Sequence, residues 1–232
     1  MIFGGFQKLT LLDYPGRVAC TLFTKGCNFR CPFCHNTLLV EGEGDEKFTA
    51  EEVLVYLKKR QGILEGVCIS GGEPLMQPEI EEFMRSVKEL GYSVKLDTNG
   101  SNPDKLKYLV NEGLVDYVAI DVKNSIEKYE ETAGVPGLKL DKVKESMAFL
   151  LEGTVDYEFR TTVAEGLHTV EDIKTLTQDI VGAKKYFLQN FIDSGNILGD
   201  VKTLAPVPES TLKAMLEAAR TNVPDDQIRG QN

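Results

Sequence analysis

The stretch RVACTLFTKGCNFRCPFCHN, Arg17 to Asn36, decides how the rest of the chain is read. Its first part, Arg17 to Thr24, is apolar and rich in β-formers and reads as a strand. The loop behind it carries Cys27, Cys31 and Cys34 in the spacing C-x3-C-x2-C. Three thiols crowded into eight residues point to metal, because thiolates hold zinc or iron–sulfur clusters. A closed structural zinc site takes four ligands, and here only three are local. Cys20 and Cys68 fall inside strands, where a cysteine reads as a small core residue. His35 adjoins Cys34 and is awkwardly placed as a fourth ligand. Two readings stand at this point. One is a zinc site completed by a distant residue; the other is a four-iron cluster on three thiolates, with one iron open to a ligand.

Outward from this stretch, apolar β-branched runs alternate with amphipathic ones. After the first strand, helix signals cover Phe48 to Arg60, where Thr49 and Glu52 form a capping-box pattern. Strands are predicted at Gly66 to Ser70, Ser93 to Thr98, Val115 to Lys123, Val155 to Val163 and Lys184 to Phe191. Helices are predicted at Pro78 to Leu90, Pro103 to Asn111, Asp141 to Leu151, Val170 to Ile180 and Pro208 to Arg220. Strands alternating with helices of this length form parallel βαβ units. A full eight-unit barrel takes about 250 residues. Six units in 232 residues therefore predict an α/β fold built as a partial (β/α)6 TIM-type barrel, with a flat doubly wound sheet as the alternative. The chain is expected to be one domain, 1–232, with a cluster loop at 25–36. Flexible stretches are expected at Glu41 to Lys47 and in the tail 224–232.

Composition narrows the function classes. The net charge is −10, and the 26 Lys and Arg residues form no dense stripe, so phosphate neutralisation on nucleic acid is not expected. No stretch is apolar enough to span a membrane. The N-terminal residues lack the features of a secretion signal, and five cysteines are an odd count for a disulfide scaffold. A cytoplasmic protein is expected.

The remaining chemistry-bearing residues fall at strand ends, the edge where βα folds assemble their sites. Gly71, Gly72, Glu73 and Pro74 follow the second strand. They read either as a ligand-approach loop or as a plain turn. Asp97, Thr98, Asn99 and Gly100 end the third strand, where an N-cap and turn is the alternative reading. Asp121 and Lys123 are two apart on one face of the fourth strand, a costly pair unless matched or liganded; a surface ion pair is the rival. Arg160 stands among apolar neighbours in the fifth strand and calls for a carboxylate, from a bound ligand or from Glu158, with an arginine at the rim as the alternative reading. His168, just before a helix, reads as a surface or capping residue.

The cysteine spacing, with Phe33 before the last thiol, resembles the signature of the radical S-adenosylmethionine superfamily. The resemblance runs over essentially the whole chain. The triplet Cys34-His35-Asn36, the Gly71–Pro74 segment, the Asp97–Gly100 segment and the pair Asp121 and Lys123 are similar to those of glycyl-radical-enzyme activating enzymes. The resemblance implies a 4Fe–4S cluster on Cys27, Cys31 and Cys34, with S-adenosyl-L-methionine as cofactor. It implies that Gly71, Gly72 and Glu73 hold the amino group of the methionine moiety. Asp97 would lie near the cofactor, and Asp121 and Lys123 would contact it, the lysine meeting its carboxylate. Arg160 is a further candidate for that carboxylate, and Asn36 would help shape the pocket.

In that family a reduced cluster cleaves the cofactor, and the resulting 5′-deoxyadenosyl radical takes hydrogen from a glycine Cα of a partner enzyme. An oxidoreductase of this activating class is thus implied, with a glycyl-radical enzyme as partner and flavodoxin or ferredoxin as electron donor. The segment LTLLDYPGRVACTLFTKGCNFRCPFCHN is more similar to activating proteins of anaerobic ribonucleoside-triphosphate reductase. Pyruvate formate-lyase activating enzymes carry a histidine after the sixth strand. Leu188 to Gly195 has none, and Gln189 or Asn190 would stand in for it. A pyruvate formate-lyase-type activase, a small-molecule enzyme similar to 7-carboxy-7-deazaguanine synthase, and a zinc-binding interaction module remain as alternatives.

Overall fold

The structure, a computed structural model, describes residues 1–42, 47–192, 197–199, 203–224 and 226–229. The chain folds as two units. The first holds Met1–Asn28, Leu38–Thr98 and Asp104–Ala119; the second holds Phe29–Thr37, Asn99–Pro103 and Ile120–Asn232.

In the first unit, β2 (Ala19–Thr24), β4 (Gly66–Gly71) and β5 (Ser93–Thr98) are the parallel strands that the apolar runs predict. The register pairs Cys20 with Val67 and Thr24 with Gly71, so strand ends and the loops behind them come level. The helices α2 (Ala50–Lys58), α3 (Ile80–Glu89) and α4 (Pro103–Asn111) follow in the expected alternation. Thr49 caps α2 in a complete capping box: its hydroxyl accepts from Glu52 N–H at 3.2 Å, and the Glu52 carboxylate accepts from Thr49 N–H at 2.8 Å.

A strand absent from the predicted series is β1 (Ile2–Thr10), which runs antiparallel to β2 and carries the two-residue β3 (Phe48–Thr49) on its other edge. Its pattern is broken by a polar run, and shifts in register interrupt the pairing. Periodicity alone therefore does not reveal it. Its anchor is Phe3, fully buried and edge-on to Phe83 of α3 at 5.0 Å.

β6 (Tyr117–Asp121) is divided, with Ile120 and Asp121 falling in the second unit. There β7 (Asp156–Val163), β8 (Tyr186–Asn190) and β9 (Asp226–Arg229) run parallel. They are interleaved with α6 (Leu140–Leu151), α7 (Val170–Leu176) and α8 (Glu209–Ala219). The apolar side chains of Leu150, Phe159, Ile173, Leu188 and Met215 are fully buried in this unit. The helix predicted over Val170 to Ile180 divides into α7 and a 3-10 turn at Thr177–Ile180. Two short helices lie outside the predicted set: α1 (Thr37–Val40), in the first unit from Leu38 on, and α5 (Tyr129–Ala133) in the second.

The tail departs from the flexible stretch the sequence suggests, because Asp226–Arg229 is a strand. Its stability comes from distant partners. The Arg229 guanidinium grips the buried Glu158 carboxylate through two bonds, at 2.7 and 2.8 Å, and Arg220 holds the buried Asp226 at 3.1 Å. Residues 225 and 230–232 of that tail, and 43–46 of the other stretch expected to be flexible, lie outside the described residues.

Candidate functional site

In the first unit the loop after β2 and the loop after β4 pack backbone against backbone. Gly72 N–H donates to Thr24 O at 2.9 Å, and Glu73 N–H to Gly26 O at 2.8 Å. A Cβ on Gly72 would sit 1.9 Å from Gly26 O, and Gly71 combines φ +109° with a Cβ position 2.4 Å from Thr24 N. Both positions therefore require glycine. The loop carrying Cys27 is seated on this pair of glycines.

Glu73 is buried. Its Oε1 accepts from Leu75 N–H at 3.0 Å and from the Thr98 hydroxyl at 2.7 Å, so the acid caps the 3-10 turn Pro74–Met76 and ties β4 to the end of β5. In the sequence Thr98 reads only as part of a turn. Its contact with Glu73 spans 25 residues and leaves no local pattern. Asp97, a predicted site residue, forms an ion pair with Lys95 two residues before it. Lys95 is fully buried, with Nζ 3.9 Å from Cys68 Sγ and 5.9 Å from the centre of the Tyr117 ring. Cys20 and Cys68 are buried in strands, as expected of core residues, and burial pushes the Cys20 thiol up to about 12.

The second unit holds Cys31 and Cys34. Cys34 N–H donates to Cys31 O at 3.0 Å, closing a tight turn over Pro32 and Phe33. Arg30 N–H donates to Ala133 O at 2.8 Å, and Cys31 Sγ lies 3.9 Å from the same oxygen, so this turn rests on the C-terminal end of α5. Burial raises the Cys31 thiol above its ordinary value; Lys123 works against that, while Cys34 and Asp121 add to it. All five cysteines are thiols rather than disulfides. Asn36 is exposed, just ahead of α1.

Asp121, Lys123 and Arg160 meet in the second unit, in a pairing that the sequence does not suggest. Arg160 Nε donates to Asp121 Oδ1 at 2.8 Å, whereas Arg160 Nη1 stands 3.9 Å from Glu158. The partner suggested for Arg160, Glu158, is taken by Arg229. Lys123 Nζ stands 3.5 Å from Asp121 Oδ2 and 5.8 Å from the centre of the Phe33 ring. Burial by itself would lower the Lys123 ammonium, but Asp121 and then Cys31 outweigh it and hold it above the ordinary lysine value.

His168 is buried, contrary to the surface or capping reading. Its Nδ1 accepts from Ala164 N–H at 3.2 Å, which leaves Nε2–H to donate to Lys123 O at 2.8 Å. Burial lowers its pKa and keeps it neutral. Asn124 donates to the Thr132 hydroxyl at 2.9 Å and to Leu167 O at 3.0 Å, so the residues around Lys123 are fastened to α5 and to the loop before α7. Of the suggested stand-ins for a histidine after β8, Asn190 is committed to a two-bond clamp on Val207, at 2.9 Å each way. Residues 193–195 of that segment lie outside the described residues.

Parallel βα units with thiols, glycines and charged side chains at their strand ends define an α/β protein with a loop of three closely spaced thiols. The sequence profile of the radical SAM superfamily matches residues 21–180. A protein of Methanocaldococcus jannaschii named for glycyl-radical enzyme activation, MJ1227, is 31% identical over 232 residues, covering 98% of this chain and 95% of that one. The pyruvate formate-lyase 1-activating enzyme of Escherichia coli K12 is 27% identical over 201 residues, 82% of this chain and 80% of its own. Among solved structures, Streptococcus suis SuiB bound to S-adenosylmethionine superposes with a TM-score of 0.69 at 15% identity, covering 89% of this chain and 49% of its own; it shares the fold. The chain belongs to the radical SAM superfamily, whose members use a 4Fe–4S cluster and S-adenosylmethionine.

Proposed function

We propose that this protein activates a glycyl-radical enzyme, and that its partner is an anaerobic ribonucleoside-triphosphate reductase. The observation that supports the activating role most directly is the near-complete mutual coverage with MJ1227. The choice of partner rests on the N-terminal sequence from Leu9 to Asn36. The donor chemistry fits the cluster: Cys27, Cys31 and Cys34 are thiols within eight residues, none of them in a disulfide, and a half-buried cation, Lys123, acts on Cys31. An anionic thiolate cluster gains from that cation in a low-dielectric setting.

The chemistry that such a cluster supplies when bound is one-electron reduction of S-adenosylmethionine, with flavodoxin or ferredoxin as the electron source. The chain's own residues bind and orient. Lys123, which stands 3.5 Å from Asp121, would take the cofactor's carboxylate. Arg160 holds Asp121 in place at 2.8 Å. Gly71 and Gly72 would offer main-chain carbonyls to the cofactor's amino group, and Glu73 fixes that turn through Leu75 and Thr98. Asp97, paired with Lys95, and Asn36 are further candidates for contact with the cofactor.

The test is anaerobic reconstitution in the cytoplasm-like conditions of a reducing buffer. Iron, sulfide and chain are quantified, and the protein is then incubated with a reductant, S-adenosylmethionine and the reductase. A glycyl doublet in the electron paramagnetic resonance spectrum of the reductase is the expected result. Iron and sulfide in the protein without that doublet would reject this partner. A colourless protein without sulfide would reject the cluster.

A further inference from the structure

Tyr129 opens α5 and is fully buried, yet its hydroxyl has no hydrogen-bond partner among the described residues. A buried phenol left unpaired is destabilising, so such a group calls for an acceptor. The groups that act on this hydroxyl are the Lys123 ammonium, the Cys31 thiol and the Asp121 carboxylate. The main-chain N–H of Lys123 also faces the phenol oxygen, short of hydrogen-bond geometry. Asp121 is already engaged by Arg160 and Lys123.

The helix itself points the same way. Tyr129 and Ala133 are four apart and share a face of α5. Ala133 O receives Arg30 N–H and lies 3.9 Å from Cys31 Sγ. A Cβ on Gly134, the next residue, would fall 2.1 Å from Arg30 O, so the end of α5 is pressed onto the backbone that carries Cys31. The helix that cradles Cys31 therefore presents a donor without an acceptor beside it.

We infer that Tyr129 is a positioning residue for the cluster, donating a hydrogen bond to a sulfur at its Cys31 corner. This rests on the activase reading, in which Cys31 is a cluster ligand. Hydrogen bonds to cluster sulfurs favour the more negative, reduced state and so raise the reduction potential.

Tyr129→Phe keeps the ring and deletes the donor. Reconstituted wild type and variant are compared for iron and sulfide per chain, for midpoint potential by electron paramagnetic resonance titration, and for iron–sulfur stretching frequencies in H2O and D2O. The variant is expected to hold a full cluster, titrate at a lower potential and lose part of the deuterium shift. Replacement of Tyr129 by 3-fluorotyrosine, a stronger donor of nearly the same size, is expected to move the potential the opposite way and covers the case in which the phenylalanine variant does not fold. Unchanged potential and unchanged deuterium shift would overturn the inference, whether or not S-adenosylmethionine affinity moves. If the wild type itself takes up no iron and sulfide, the activase reading fails instead.

Discussion

β5 carries Lys95-Leu96-Asp97, and the end of β6 carries Asp121-Val122-Lys123: the same two charges, two residues apart, in opposite order. In the first unit the pair is closed. Lys95 is fully buried and bound to Asp97, with Cys68 and the Tyr117 ring around it. In the second unit the carboxylate belongs first to Arg160 at 2.8 Å, and Lys123 is left at 3.5 Å. The difference comes from a third residue brought in by β7. A fully buried lysine held by a close carboxylate is a structural element, whereas a half-buried one whose partner is shared retains capacity for an anionic ligand.

Four substitutions break or sharpen this contrast. The largest effect is expected at Asp97→Asn. It leaves the Lys95 ammonium buried without this carboxylate and should cost about 3–5 kcal/mol in urea unfolding, while the double change Lys95→Met with Asp97→Leu should recover much of it. A loss under about 1 kcal/mol would mean that the β5 pair is not closed. Next comes Arg160→Gln. It releases Asp121 to close on Lys123, and S-adenosylmethionine affinity of the reconstituted protein should fall about tenfold, or about 1.4 kcal/mol, by calorimetry. Unchanged affinity would break the assignment of Lys123.

His168 sets a smaller, pH-dependent term, since it clamps the Lys123 carbonyl while neutral. Its folded pKa lies below the ordinary value of about 6.5 that the unfolded chain keeps. The unfolded state therefore binds more protons below that pH, and stability should decline as the solution is acidified through it. His168→Gln should flatten this decline by about 1 kcal/mol between pH 7 and 5, read from denaturation midpoints. The least effect is expected at Thr98→Val. It removes one hydrogen bond to Glu73 and should lower stability by about 1 kcal/mol.

Much of the architecture is legible in the sequence. All six predicted strands of the βα series form, with ends displaced by up to two residues. The capping box at Thr49 also forms as its pattern predicts, since both of its halves lie within four residues of each other. What the sequence hides shares a cause. β9 depends on Arg229 meeting Glu158, 71 residues away; the Thr98–Glu73 bond and the placement of His168 on Lys123 likewise join distant segments. Tyr129 carries no local mark, being one tyrosine in a short helix of ordinary composition.

Sequence by itself determined the alternation of strands and helices, the thiol triplet and the presence of glycine where two loops meet, because each is written in local spacing or in a side chain that must be absent. Tertiary structure decided which charges pair and which are shared. Ion pairs between neighbouring strands depend on register and burial, and both arise only once the chain has packed.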